Sequence, residues 1–398
     1  MKTIYMDNNA TTQLDPEVFE TMRPYLTEFY GNPSSMHRFG GQVGAELKKA
    51  RQQVADILGC DADEIIFTSC GTEADNTAIR SALTAQPNKR HIITTRVEHP
   101  AVLSLCKYLE KKEGYDVTYL GTDEHGRLSM DEIASSIRSD TAIISVMWAN
   151  NETGNIYPMD DIAKLAKENG VIFHTDAVQA VGKIPIDLKK TPIDMLALSG
   201  HKLHAPKGVG ALFVRKRSPF RPFLIGGHQE GSRRAGTENS AGIIALGKAC
   251  ELSLKHMEEE NTTVKALRDK LEKGLLESIP DSVLNGDKDN RLPNTANISF
   301  GYVEGEAILL MMDQLGICAS SGSACTSGSL EPSHVLRSMG VPFTFAHGSI
   351  RFSLSRFNTE GEVDYVLETL PGIIENLRKM SPFSAQKSAP SCTKGFTE

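Results

Sequence analysis

Short apolar runs recur through the first 215 residues, and segments with a helical spacing of apolar positions separate them. Glu64-Ile65-Ile66-Phe67-Thr68 predicts a strand and Thr72 to Leu83 a helix. His91-Ile92-Ile93-Thr94-Thr95 predicts the next strand, and a helix then opens on Pro100, a residue suited to a first helical position. Tyr115 to Leu120, Ala142 to Trp148, Val171 to Thr175 and Met195 to Leu198 read as further buried strands, with helices near 129–137 and 159–168 between them. Such alternation predicts an α/β fold, a mostly parallel sheet covered on both faces. Val209 to Val214 follows Met195–Leu198 after a short turn, so that pair is expected to be antiparallel.

The pattern then changes. Residues 238–278 are helical, with Gly242, Gly247 and Asn261 as expected breaks and a helix near 240–260 as a connector. A strand at 295–300, a helix at 305–315, short strands at 317–319 and 349–354 and a helix at 359–379 suggest a smaller α+β unit. The change marks the expected passage to a second, smaller domain. The polar tail 384–398 is read as disordered.

Composition narrows the function. The 398 residues are 40% hydrophobic and 23% charged, an ordinary balance for a soluble globular chain with ample core. A net charge of -7 implies no dominant basic face and argues against a nucleic-acid partner. No apolar run approaches the ~20 residues of a membrane span. The stretch Met1 to Asp7 does not read as a signal peptide, because Asp7, Asn8 and Asn9 arrive before any apolar core. Seven cysteines, an odd number with no Cys-x-x-Cys, argue against a disulfide framework or structural zinc and fit the reducing cytoplasm.

The candidate chemistry centres on Ser199-Gly200-His201-Lys202, which follows the buried run 193–198. A lysine at the mouth of a buried strand, with a hydroxyl and an imidazole beside it and Asp176 upstream, suggests an aldehyde cofactor held as a Schiff base. Only the neutral amine forms an imine, so the site must lower the lysine's pKa. Between a strand and a helix, Gly71 and Thr72 offer a phosphate cradle of free N–H groups and a hydroxyl. A capping box from Thr72 to Asp75 is the competing explanation. Asp176 can pair with a pyridine nitrogen and keep it protonated. Gln179 can bond a ring oxygen, and His99 can stack on the ring and move protons. Singly, these three also read as a cap acid, a surface amide and a turn histidine. Together, at the ends of neighbouring strands, they mark a ligand site.

Two further elements complete the set. Ala319 to Ser329 is small, polar and glycine-containing, so Cys325 within it is expected to be an exposed, movable thiol. Arg351, on the alternating run 348–354, can grip a carboxylate bidentately, with a surface ion pair as the plain alternative. Asn151, after the run ending at Trp148, can touch both ring and carboxylate.

These residues stand in motifs that resemble the cysteine desulfurases, pyridoxal-phosphate enzymes of fold type I in the class V aminotransferase group. The resemblance runs from Tyr5-Met6-Asp7-Asn8-Asn9-Ala10-Thr11-Thr12 to about Met380. It includes Gly31-Asn32-Pro33-Ser34-Ser35, Glu98-His99, Asn150-Asn151-Glu152-Thr153-Gly154, Ser199-Gly200-His201-Lys202, Arg234-Ala235-Gly236-Thr237-Glu238-Asn239 and Ser321-Gly322-Ser323-Ala324-Cys325-Thr326. The long cysteine loop, about 320–332, looks like the branch typified by the NifS and IscS proteins. Gly328 and His347-Gly348-Ser349 look closer to the NifS type of nitrogen fixation.

The resemblance implies a large domain over 16–258 with a mostly parallel seven-stranded sheet, plus a smaller α+β domain built from 1–15 and 259–383. It implies pyridoxal 5'-phosphate on Lys202, with Asp176 at the pyridine nitrogen, Gln179 at the ring oxygen and His99 stacked on the ring. Gly71, Thr72, Ser199 and His201 would hold the phosphate. Thr237 would reach it from the other subunit of a homodimer. Arg351 and Asn151 would bind the carboxylate of L-cysteine, and Cys325 would take its sulfur as a persulfide, leaving L-alanine. The implied acceptor is an iron–sulfur scaffold protein, with nitrogenase maturation as a pathway. No metal is required, although Cys325 would be the contact for a transferred iron–sulfur cluster. The alternatives are an aminotransferase or a selenocysteine lyase of the same fold, and a non-enzymatic iron–sulfur scaffold using Cys318 and Cys325.

Overall fold

A computed structural model describes residues 3–321 and 332–381. Cys325, most of its loop and the 384–398 tail therefore lie outside the described residues. Twelve strands lie within them: β1 (Ile4–Tyr5), β2 (Ile65–Thr68), β3 (His91–Thr95), β4 (Asp116–Leu120), β5 (Thr141–Ser145), β6 (Ile172–Asp176), β7 (Met195–Ser199), β8 (Gly210–Val214), β9 (Ser282–Leu284), β10 (Thr295–Phe300), β11 (Ile317–Cys318) and β12 (Ser349–Ser353).

Seven of them form a central sheet in the order β2-β8-β7-β6-β5-β3-β4. The ladder is parallel from β4 through β7. β8 runs antiparallel to both β7 and β2, as the short turn after Leu198 predicts. Because β8 reverses twice, β2 points the same way as β7, and its carboxyl end meets those of β3, β5 and β6 at one edge.

Alternation along the strands explains the double coverage. Ile65, Phe67, Ile93, Ile144, Phe173 and Phe213 join one apolar cluster, and their neighbours Ile66, Ile92, Ile143, Ile172 and Leu212 join another on the opposite face. Helices Gly71–Ala85 and Pro100–Glu113 cover the second face; Arg38–Leu58 and Ser240–Lys255 pack on the first. A separate cluster gathers Ile4 and Met6 with Leu271, Ile298, Phe300, Phe352 and Val366 around the antiparallel sheet β12-β10-β9 and the Glu360–Met380 helix. β1 pairs with β11 beside it, so the start of the chain is stitched to a segment more than 300 positions away.

Two expectations are revised. Gly242 and Gly247 do not break the Ser240–Lys255 helix. Gly242 lies in its first turn and donates to the Asn239 side chain. Gly247 faces the Arg38–Leu58 helix, where a Cβ would come within 2.5 Å of the Ala50 Cα, so its small size serves close packing. The connector to 260 instead ends at Lys255; after Met257–Glu259 a π-helical turn over Glu260–Val264 leads into Lys265–Ser278. The Arg38–Leu58 helix was not anticipated. Its early glycines mask a stripe of Val43, Leu47, Ala50, Val54 and Leu58 at helical spacing.

Candidate active site

The carboxyl ends of β2, β3, β5, β6 and β7 open onto a cavity of about 330 Å³. Gly71, Thr72, His99, Asn151, Asp176, Gln179, Ser199, His201, Lys202 and Arg351 all line it. These residues, from six places in the sequence, thus converge where open α/β sheets bind ligands. A more open groove of about 600 Å³ lies along Pro371–Lys379 and lacks this combination of lysine, acid and imidazole.

Lys202 closes a 3-10 turn that begins directly after β7. Its Nζ donates to the carbonyls of Asn9 at 2.5 Å and Ala10 at 2.6 Å. The chain's first segment is therefore the floor beneath the amine. His201 sits beside it, its Nδ1 3.1 Å from the Thr11 hydroxyl. Burial first, then the Lys202 charge, pushes this imidazole down to about 4, so it stays neutral.

Asp176 ends β6, and one of its oxygens accepts from the Val178 N–H at 2.9 Å. Burial raises its pKa, opposed by His99 and that N–H. Asp75, one turn into the Gly71–Ala85 helix, also lines the cavity and is 1% exposed. Its Oδ1 has no hydrogen-bond partner and stands 3.5 Å from His174 Nε2. Burial and the charge of Asp176 raise Asp75 well above the carboxylate range. Two carboxyl groups so placed favour holding at least one proton, unless a cation joins them.

His99 is the N-cap of the Pro100–Glu113 helix; its Nδ1 accepts from the Ala101 N–H at 3.1 Å. In the neutral ring the proton is then on Nε2. Burial is the leading cause of its lowered pKa, so the neutral form is favoured. Glu98, fully buried next to it, accepts from Met147 N and the Thr95 hydroxyl. Burial lifts Glu98 to about 8.

The Gly71–Ala85 helix points its N-terminus at the cavity. Its N-cap, Cys70, makes no side-chain cap bond, so the Thr72–Asp75 capping box is not formed. Ser199 is 3% exposed, and its Oγ has no hydrogen-bond partner. A Cβ on Gly71 would stand 2.9 Å from Val178 and 3.4 Å from Ser199. An unpaired buried hydroxyl, a glycine held against its neighbours and a helix N-terminus suit a phosphate. With a lysine, a buried acid and Gln179 on the same cavity, the donor set fits pyridoxal phosphate.

Arg351 comes from β12 of the smaller sheet. Its guanidinium bonds Asp7 Oδ1 at 2.7 Å and the Asn151 carbonyl at 3.0 Å, and its Nε is buried without a partner. Both stems of the Cys325 loop are tied nearby. Ser320 bridges Arg351 through two main-chain bonds. Ser333 donates to the buried Glu152 carboxylate, and His334 Nε2 lies 3.0 Å from the Glu98 carbonyl.

Thr237 stands apart. It is exposed on the loop before Asn239 and does not line this chain's cavity. Arg234, three residues earlier, pairs with Glu73 at 2.8 and 3.1 Å and pins the loop to the Gly71–Ala85 helix.

Several groups in the site were not read from the sequence: the carbonyls of Asn9 and Ala10, Asp7, Asp75 and Met147. The dense polar stretch Asp7–Thr12 after a short apolar strand was the available signal. Backbone acceptors carry no side-chain signature.

The sequence matches the family Aminotransferase class-V over residues 4–366. It is 63% identical over 383 residues to a cysteine desulfurase of Trichormus azollae, covering 96% of each chain. It is 61% identical over 384 residues to the cysteine desulfurase NifS of Azotobacter vinelandii, covering 96% of this chain and 95% of that one. Among solved structures, a NifS-like protein superposes with a TM-score of 0.89 at 38% identity, covering 94% of this chain and 100% of that one. SspA in complex with cysteine superposes with a TM-score of 0.80 at 35% identity, covering 90% and 100%. The chain belongs to the class-V aminotransferase family, with the α/β architecture of fold type I pyridoxal-phosphate enzymes. Within that family it belongs with the cysteine desulfurases. No helix among the described residues is long and apolar enough to cross a membrane.

Proposed function

We propose that this enzyme converts L-cysteine to L-alanine in the cytoplasm and passes the sulfur, as a persulfide on Cys325, to an iron–sulfur scaffold protein. A role in nitrogenase maturation fits the 61% identity to NifS. The carrying observation is that Lys202, Asp176, Gln179, His99 and Arg351 line one cavity.

When bound, pyridoxal phosphate supplies an aldehyde carbon that bonds amines and a ring that accepts electrons from Cα. Lys202 would anchor it, and Ser199, His201, Thr72 and the N–H groups at Gly71 would hold its phosphate. Asp176 would pair with the ring nitrogen and Gln179 would bond the ring oxygen. Arg351 and Asn151 orient the substrate carboxylate. Lys202 Nζ would take the Cα proton of the substrate and later return one. His99 presents its Nε2 proton to the bound molecule and shields one side of it from water. The Cys325 thiolate forms the new S–S bond as the substrate C–S bond breaks, and the released carbon is protonated to give the alanine methyl group. Cysteine and enzyme thiol thus become alanine and enzyme persulfide with no outside oxidant.

The reading includes a homodimer, supported by Thr237, which is exposed here and would complete the phosphate site of a second copy. Phe223, Leu224 and Ile225 are exposed beside it, Ile225 by 87%, and the Leu224 carbonyl bonds Ala235 on the Thr237 loop. The test is to load purified protein with the cofactor, add L-cysteine with a thiol reductant that frees the persulfide sulfur, and assay alanine and sulfide together. Equal release of both supports the reading. Formation of a keto acid instead would favour an aminotransferase.

A further inference from the structure

Behind Gln179 lies a buried cation that the chemistry above leaves unused. Lys183 is 6% exposed. Its ammonium donates to two atoms of one residue, the Gln179 carbonyl at 3.2 Å and the Gln179 Oε1 at 3.3 Å. An ammonium has only donors, so the end of the amide that it meets is the oxygen. The amide nitrogen is thereby turned away, and it donates to the Asn9 carbonyl at 3.0 Å. That same carbonyl accepts the bond from Lys202. Rotating the amide by half a turn would set its NH2 against an ammonium and its oxygen against a carbonyl. Both contacts would become repulsive in a site with little water to relieve them.

We infer that Lys183 is a positioning residue for the cofactor's ring oxygen: by fixing the Gln179 amide, it leaves the second amide N–H as a donor to the cavity. The inference rests on the pyridoxal-phosphate reading. Lys183 itself faces groups from several elements. Glu260 stands on the π-helical turn and His256 at the end of the Ser240–Lys255 helix. His204 and Lys202 follow β7, Arg351 is on β12, and Arg356 follows it. A small cavity of about 20 Å³ lies among most of them. Burial draws the Lys183 amine down to about 8, Arg351 pushes the same way, and Glu260 opposes. Either protonation state still donates to Gln179, so the amide stays locked while the positive charge fades as pH rises through that value.

A donor at the ring oxygen and a nearby cation both disfavour a proton on the nitrogen that joins Lys202 to the cofactor. Losing either should let that proton persist to higher pH. The test uses the full-length, cofactor-loaded enzyme as wild type, Lys183→Met, Gln179→Ala and the double variant. The visible cofactor band is titrated with pH, and a thermal midpoint is recorded for each. Lys183→Met is expected to raise the titration midpoint by about one unit. In the Gln179→Ala background the same change should raise it by less than half as much, because the residue it acts through is gone. No shift, or the same shift in both backgrounds, would overturn the inference. Lys183→Leu takes the same place in the comparison if the methionine variant does not fold. A wild-type protein with no visible band, or a band that survives Lys202→Ala, would instead defeat the cofactor reading itself.

Discussion

Arg351 reaches Asp7 at 2.7 Å, so the guanidinium assigned to the substrate already holds a carboxylate from the chain's own first segment. On the proposed reading, Asp7 is a stand-in that the incoming amino acid would have to match or join. Arg351→Lys keeps the charge and loses the fork. Each charge-assisted bond lost costs about 1.5–3 kcal/mol, so KM for L-cysteine should rise about tenfold to a hundredfold, with a smaller change in kcat. Asp7→Asn should lower KM, because the guanidinium is then less well satisfied before substrate arrives. Steady-state kinetics on both variants checks the pair; an unchanged KM in Arg351→Lys would remove Arg351 from the carboxylate site.

Cys325→Ala should leave the cofactor band intact and still bind L-cysteine, seen as a change in that band. Alanine and sulfide release should both fall to background. Sustained sulfide release by the variant would show that another group accepts the sulfur.

Glu98 sets a pH limit. Burial lifts its carboxyl to about 8 from an ordinary 4.5, so the folded protein holds this proton more tightly than the unfolded chain does. The resulting stability is full below about pH 4.5 and is lost as pH rises through about 8. Glu152 and Glu260, each raised to about 7 by burial, add to the same decline. Glu98→Gln removes one contribution, so its melting temperature should fall less than the wild type's between about pH 5 and pH 9. Parallel melting curves across that range would mean that Glu98 does not carry the effect.

Gly71→Ala places a methyl group 2.9 Å from Val178, which lines the cavity next to Asp176. Overpacking of this kind costs about 1–3 kcal/mol, and here it falls on the proposed phosphate cradle. Cofactor affinity should drop about tenfold or more while the apoprotein stays folded, as read by fluorescence titration and circular dichroism.

The parts of this architecture legible in the sequence were those with a local signature. Each buried run of the central sheet announced itself by continuous apolar residues. Asp176, Ser199 and His99 stood out because a polar group at the end of such a run has no packing reason to be there. The Arg38–Leu58 helix escaped because glycines and polar residues dilute its apolar stripe. Lys183 escaped for the opposite reason: a lysine reads as surface, and only the folded chain shows it buried against Gln179. Asn9 could not be foreseen as the common acceptor of Lys202 and Gln179, because a carbonyl looks alike in every residue and the partners lie more than 160 positions away.

The opening segment from Ile4 to Thr12 is a strand beside one unit, a partner for Arg351 and the bed on which the Lys202 amine rests. It adds no strand to the seven-stranded sheet. A protease nick there, or a bulky fusion pulling on it, would silence the chemistry while leaving most of the molecule's spectroscopic signature of foldedness untouched. Loss of activity in such a preparation would look like a missing cofactor and would in fact be a loosened thread.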